Sequence, residues 1–149
     1  MSCSSPNVKQ AGSSSPIQSA IEPADYTSVA TGDNSVTGLS CDVSVAVGDV
    51  VYANGATLFP AIATSYLTSL VVGIVTSKSG ATVCDIVLTG PTNALSGLDT
   101  SKKYFLSETT AGSLQTTPPT GSGAYVIQVG KPISTTIFTI QIQRIVKRV

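Results

Sequence analysis

The sequence predicts an all-β fold: a sandwich or small barrel of short antiparallel strands with an extended N-terminal arm. Three observations carry this. From about residue 39 onward, short runs rich in Val, Ile, Thr, Tyr and Phe recur, each broken by Gly, Pro, Asn or Ser. No stretch combines helical periodicity with caps; residues 61–70 come nearest, but their two Thr and two Ser predict at most one helical turn. Residues 1–35 are dominated by Ser, Pro, Gly and Asn, with Val8, Ile17, Ile21 and Tyr26 isolated among them, which is the composition of an arm without a core of its own.

Taken in order, residues 40–47 alternate in part, with Val43, Val45 and Val47 on one face. Residues 49–53 are short and apolar. Asn54-Gly55 follows as the hairpin signal, because a type I′ turn needs positive φ at both central positions. Residues 57–63 return, residues 70–76 read as a buried strand, Ser79-Gly80 turns, and residues 82–88 run back. Gly90-Pro91 closes this first unit, and residues 92–101 connect. Residues 103–107 and 113–117 flank a turn at Ala111-Gly112. The Pro118-Pro119 step opens an exposed turn before a strand over 125–129. Residues 136–145 form the clearest strand, with Ile137, Phe138, Ile140, Ile142 and Ile145 supplying bulk. The total is about eight to ten short strands.

The organisation is an arm, 1–35, and a β-rich domain, 36–149. A weak internal repeat divides the domain into 36–91 and 95–149. Tyr52, Leu58, Val72-Gly73 and the apolar run 83–88 recur in order as Tyr104, Leu114, Val129-Gly130 and 137–142. Duplication and two independent hairpin pairs both account for it. An arm of this kind is ordered only where something holds it, so neighbouring subunits are the expected anchor.

Composition narrows the function. Charged residues are 11% of the chain, against about 25% in an ordinary soluble domain. A surface so poor in charge is weakly protected against association and suits contact with other protein. The charges are also segregated. Up to Asp49 there are Glu22, Asp25, Asp33, Asp42 and Asp49 against Lys9. From Lys102 there are Lys102, Lys103, Lys131, Arg144, Lys147 and Arg148 against Glu108. That asymmetry favours head-to-tail subunit contact, or is chance scatter of few charges. The bases at Arg144, Lys147 and Arg148 have no aromatic residues interleaved, so no nucleic-acid partner is expected.

Cys3, Cys41 and Cys84 are odd in number and widely spaced, which fits neither a disulfide framework nor a zinc site. Cys84 reads as a small core hydrophobe, with or without a bond to Cys41. Synthesis in a reducing cytoplasm fits this usage. The N-terminus lacks a basic start and apolar stretch, so no secretory signal is read. The uncharged span 50–77 is punctuated by Asn54, Gly55 and Pro60, which argues against a membrane helix.

The chain has no histidine, which removes the commonest general base and the His-containing triads and metal sites. There is no tryptophan, and no Gly-Lys-Ser/Thr phosphate cradle. Asp85 lies mid-strand, the one acid where burial would perturb its titration, and a solvent-facing role is expected for it. Asp49 and Asp99 read as turn acids. The expectation is a protein that is not an enzyme and has no cofactor, no metal and no catalytic residues.

Residues Gly97-Leu98-Asp99-Thr100-Ser101-Lys102-Lys103-Tyr104-Phe105-Leu106-Ser107, then Gly112, Leu114, Thr116-Thr117-Pro118-Pro119, Val129-Gly130 and Ile133-Ser134, resemble a run that ends small β modules in tailed-bacteriophage virion proteins. Gly48-Asp49-Val50-Val51-Tyr52 and Val72-Gly73-Ile74-Val75 are similar to strands of phage head decoration proteins. The chain departs from those in its connector 58–72 and its second module. The resemblance implies a capsid decoration or cement subunit, a homotrimer on the capsid surface whose partners are the major capsid protein and copies of itself. In that setting Ile17, Ile21 and Tyr26 of the arm bind a neighbour, and Phe59, Tyr66 and Leu67 face another subunit or are ordinary core. The alternative is a tail-fibre or receptor-binding module that meets a host-surface glycan through an exposed aromatic patch.

Overall fold

The computed structural model describes residues 34–149. Within them the protein is all-β, with two five-stranded antiparallel sheets built from consecutive halves of the chain. The first contains β1 (Ser35–Ser40), β2 (Val50–Asn54), β3 (Thr57–Pro60), β4 (Val71–Gly80) and β5 (Val83–Val87). The second contains β6 (Gly90–Thr92), β7 (Tyr104–Leu106), β8 (Leu114–Gln115), β9 (Tyr125–Pro132) and β10 (Phe138–Lys147). Among the described residues the one helical element is a 3-10 turn at Leu67–Ser69.

Both sheets have the same strand order. The first runs β1-β5-β4-β2-β3 and the second β6-β10-β9-β7-β8, so each has its first strand outside its fifth. The paired sequence features fall on matching strands: Tyr52 and Tyr104 on the second, Leu58 and Leu114 on the third, Gly73 and Gly130 on the fourth. The two glycines share a physical reason. A Cβ on Gly73 would collide with the Val87 carbonyl oxygen, and one on Gly130 with the Thr139 carbonyl oxygen. The partner strand therefore passes too close for any side chain there. At Gly130 the ladder also shifts register on both sides of the strand.

Period-2 alternation sorts the apolar residues. Val50 and Ile74 point from the first sheet into a shared core with Leu106, Ile127, Val129, Phe138 and Ile140 of the second. Tyr104 meets Phe138 edge-on there, with ring centres 5.7 Å apart. The alternate positions Val51, Val75 and Ile86 face the other side and pack with Cys41, Val45, Leu58 and Cys84. Residues 41–49 lie over that side. The Lys78 ammonium donates to the Val45 carbonyl at 2.6 Å, and the Gly48 N–H to the Val75 carbonyl at 2.8 Å.

Several details differ from the sequence expectations. Residues 41–47 are a looped cover rather than a strand. The Asp42 carboxylate accepts hydrogen bonds from the Ser44 N–H and hydroxyl at 2.9 and 2.5 Å, which curls the chain locally. Only Val45 of the three valines is buried. The hairpin turn lies one residue later than Asn54-Gly55: Asn54 pairs with Thr57, so Gly55 leads the turn with φ 65°. Gly90-Pro91, read as closing the first unit, and Thr92, read as opening the connector, form the first strand of the second sheet. Pro91 is tolerated because this strand is an edge.

Candidate interaction surface

The surface that concentrates distinctive chemistry is built where the two halves meet. Beyond β3 the chain leaves the first sheet and bonds to the second. The Ala63 N–H donates to the Ser107 carbonyl at 2.9 Å, and the Tyr125 N–H to the Ala63 carbonyl at 2.8 Å. That fixes the 3-10 turn beside β9. The turn is stapled from within: the Thr68 hydroxyl donates to the Ile62 carbonyl at 2.9 Å and the Ser69 hydroxyl to the Tyr66 carbonyl at 2.8 Å. Ser69 is buried, while Tyr66 is 61% and Leu67 44% exposed.

β10 completes the surface from the far end of the sequence. The Arg144 guanidinium lies 5.1 Å from the Tyr66 ring centre and 5.4 Å from that of Tyr125. It also donates to the Ser69 hydroxyl at 3.4 Å. The Lys147 ammonium lies 5.6 Å over the Tyr125 ring, and the two tyrosine rings meet edge-on at 6.2 Å. Each exposed cation–π contact of this kind contributes about 0.5–1 kcal/mol. Together they hold two cations and two aromatic rings in a defined arrangement at the surface. Tyr and Arg are the residue types enriched at binding hot spots, since they offer large contact area with a polar handle.

Of the residues singled out from sequence, the structure brings Tyr66 and Leu67 together on this turn, exposed. Phe59 is half-buried on β3 and lies across from Tyr52, ring centres 5.9 Å apart; Tyr52 packs against the shared core. Ile17, Ile21 and Tyr26 lie outside the described residues. Tyr125, Arg144 and Lys147 complete the cluster without having been grouped with Tyr66. The bases read from sequence as lacking aromatic neighbours do have them in space, supplied from other strands. Arg148 is engaged differently, donating to the Pro119 carbonyl at 3.0 Å.

The acids hold turns and edges. The Asp85 carboxylate accepts from the Gly38 N–H at 2.8 Å and the Ser77 hydroxyl at 2.6 Å. These bonds, the Ser77 hydroxyl first, hold its pKa below the ordinary carboxylate value. They also pin the irregular step in β1 at Gly38, where φ is 70°. Glu108 accepts from the Thr120 and Gly121 N–H groups at 2.7 and 2.8 Å, which lower its pKa and anchor the Pro-rich turn. Asp49 differs. Burial pushes its pKa up, although the Ala46 N–H donates to it at 2.9 Å. It lines an open cleft of about 420 Å³ with Gly48, Leu95, Tyr104, Gly112 and Leu114, and is the one carboxylate among the described residues lining that cleft.

Cys41 and Cys84 are buried free thiols. Burial first, and the neighbouring Cys41 thiol second, push the Cys84 thiol up to about 11. No group of three or more acidic, Cys or His residues among the described residues is placed to hold a metal ion. No helix among them is long and apolar enough to cross a membrane. Comparison with family models, curated proteins and solved structures finds no match to this chain.

Proposed function

We propose that this chain is a non-enzymatic virion structural protein, a capsid decoration or cement subunit of a tailed bacteriophage. It would stabilise the assembled head by bridging the major capsid protein and copies of itself. The observation that supports the reading most is the exposed cluster of Tyr66, Leu67, Tyr125 and Arg144. It sits on a domain whose sequence is only 11% charged. Such a surface gains by being covered, and a partner that binds only the assembled state favours that state by mass action. The resemblance of residues 48–52, 72–75 and about 95–142 to phage head and fibre modules supplies the setting.

The test is copy number. Gel densitometry of purified virions should give this chain in numbers comparable with the major capsid protein. Tyr66→Ala with Arg144→Ala should reduce its retention on heads. A handful of copies per particle, confined to the tail, would defeat the reading.

A second reading has one observation in its favour. A tail-fibre or receptor-binding module needs an exposed aromatic patch for a host glycan, and Tyr66 with Tyr125 is such a patch. Binding of the purified protein to host cells, lost on Tyr66→Ala, would favour it.

A further inference from the structure

The repeat of topology exposes a place where, among the described residues, a strand is missing. In the first sheet the six-residue β1 pairs along the whole of the five-residue β5, from Val83 to Val87. In the second sheet the equivalent strand, β6, has three residues and pairs only with Phe138, Thr139 and Ile140 of the ten-residue β10. Residues 141–147 pair with β9 on one side. Along their other side no strand pairs among the described residues. All seven are exposed, Ile145 at 53% and Val146 at 49%.

This edge cannot be completed by lengthening β6. The pairing is antiparallel, so residues preceding Gly90 would have to lie opposite 141–147, and those up to Val87 already belong to β5. A seven-residue edge that no described strand pairs, whose alternate residues turn N–H and C=O groups outward beside apolar side chains, is a template for an added strand. Self-pairing of two such edges is disfavoured by charge. Residues 141–149 carry Arg144, Lys147 and Arg148 and no acid, so two copies would bring like charges together.

The complementary charge lies in the chain's first 33 residues, with Glu22, Asp25 and Asp33 against Lys9. Residues 26–29, Tyr-Thr-Ser-Val, are of types that favour extended structure. We propose that the outer edge of residues 141–147 is a β-augmentation site that takes residues 22–29 of a second copy of this chain as an added strand. Main-chain hydrogen bonds supply the affinity. The excess of acid in the arm against the excess of base along this edge selects the arm over another β10. The added strand would lie beside the Tyr66–Tyr125 cluster, because Arg144 belongs to both. The inference rests on the reading of this chain as a self-assembling structural subunit.

The test uses the full chain in two charge-reversed forms: Glu22→Lys with Asp25→Lys, and Arg144→Glu with Lys147→Glu. Sedimentation should show concentration-dependent association of the parent protein and at least about tenfold weaker association of each form alone. An equimolar mixture should recover it, because each altered arm then meets an altered edge and each parental arm a parental edge. Hydrogen exchange at 141–147 should slow as the parent protein associates. Lys147→Glu alone serves as a milder variant should the double change at the edge disturb folding, which circular dichroism checks. A parent protein that remains monomeric, altered forms that associate as well as the parent, or a mixture that stays dissociated would each overturn the proposal. Binding of a single-stranded oligonucleotide that is lost on Arg144→Glu, without self-association, would overturn it in favour of a nucleic-acid partner. A monomer that still coats heads in high copy would sink this inference and leave the proposed function standing. Arm-dependent oligomers absent from heads would do the reverse.

Discussion

The closest test of the repeated architecture is to place a methyl group where each half excludes one. In Gly130→Ala the new Cβ would lie 2.8 Å from Phe138 Cε1 and 3.0 Å from the Thr139 carbonyl carbon, with the Thr139 oxygen closer still. Carbon atoms pack at about 3.5–4.0 Å, so the overlap with Phe138 alone is about 0.7 Å. Phe138 is fully buried and edge-on to Tyr104, so it cannot swing aside. The Thr139 contact is backbone, so relief requires β10 to move away from β9. Overpacking of this kind costs about 1–3 kcal/mol, and each weakened ladder hydrogen bond about 1 more. The expected loss is about 3–4 kcal/mol. In Gly73→Ala the Val87 carbonyl carbon is 3.2 Å away and Ile86 Cδ1 3.4 Å, so the loss is smaller, about 2–3 kcal/mol. Gly80 is the control. A Cβ there meets nothing within 4 Å and its φ is not positive, so Gly80→Ala should be neutral or stabilise by up to about 1 kcal/mol. Urea titrations followed by tyrosine fluorescence and circular dichroism give the three midpoints. If Gly130→Ala unfolds within about 0.5 kcal/mol of Gly80→Ala, the close approach of β9 and β10 is wrong, and the equivalence of the two halves falls with it.

Other expectations follow from the thiols and the acids. In a Cys3→Ser background, native protein at pH 8 should give almost no reaction of Cys41 and Cys84 with a thiol reagent, while urea exposes both. Rapid native labelling would contradict their burial and the raised Cys84 pKa. For Asp49 the folded pKa lies above the unfolded one, so its contribution is present below the ordinary carboxylate pKa and is lost as pH rises through the raised value. Asp49→Asn should therefore flatten that decline and leave the protein at least as stable at pH 7, as thermal melts across pH would show. For Asp42, Asp85, Asp99 and Glu108 the folded pKa is lowered, so their contribution is present at neutral pH and lost as pH falls through the carboxylate range. Asp85→Ala should remove part of this acid sensitivity and speed hydrogen exchange at Gly38, whose N–H loses its acceptor; unchanged exchange at Gly38 would refute the bridge.

Much of the fold was legible because strand formation and turn chemistry are local. The short apolar run at 49–53, the apolar run at 70–76, the β-branched run of β10 and a turn within one residue of Gly55 can be read within a few residues. Residues 41–47 misled for a local reason as well. Their valines alternate as a strand would, but the Asp42 side chain competes for the backbone and curls it. Gly90–Thr92 was missed because three residues containing a proline carry no strand signal; only its place beside β10 makes it a strand.

What the sequence by itself determined is the all-β class, the charge-poor composition and the separation of acids from bases along the chain; it placed the turns only to within a residue or two, since the turns expected at Asn54-Gly55 and Ser79-Gly80 lie at residues 55–56 and 81–82. Each is a sum over residues or a pattern within one strand. What the tertiary structure alone decided is which distant residues meet. Ser69 and Arg144, 75 positions apart, share a hydrogen bond, and Tyr66, Tyr125 and Lys147 gather around it. That residues 141–147 of β10 have no second strand beside them among the described residues is likewise a property of pairing, visible only when the short β6 is laid against β10. Backbone hydrogen-bond partners in a sheet are chosen by topology and register, and those follow from the packing of the whole core, which no local pattern encodes.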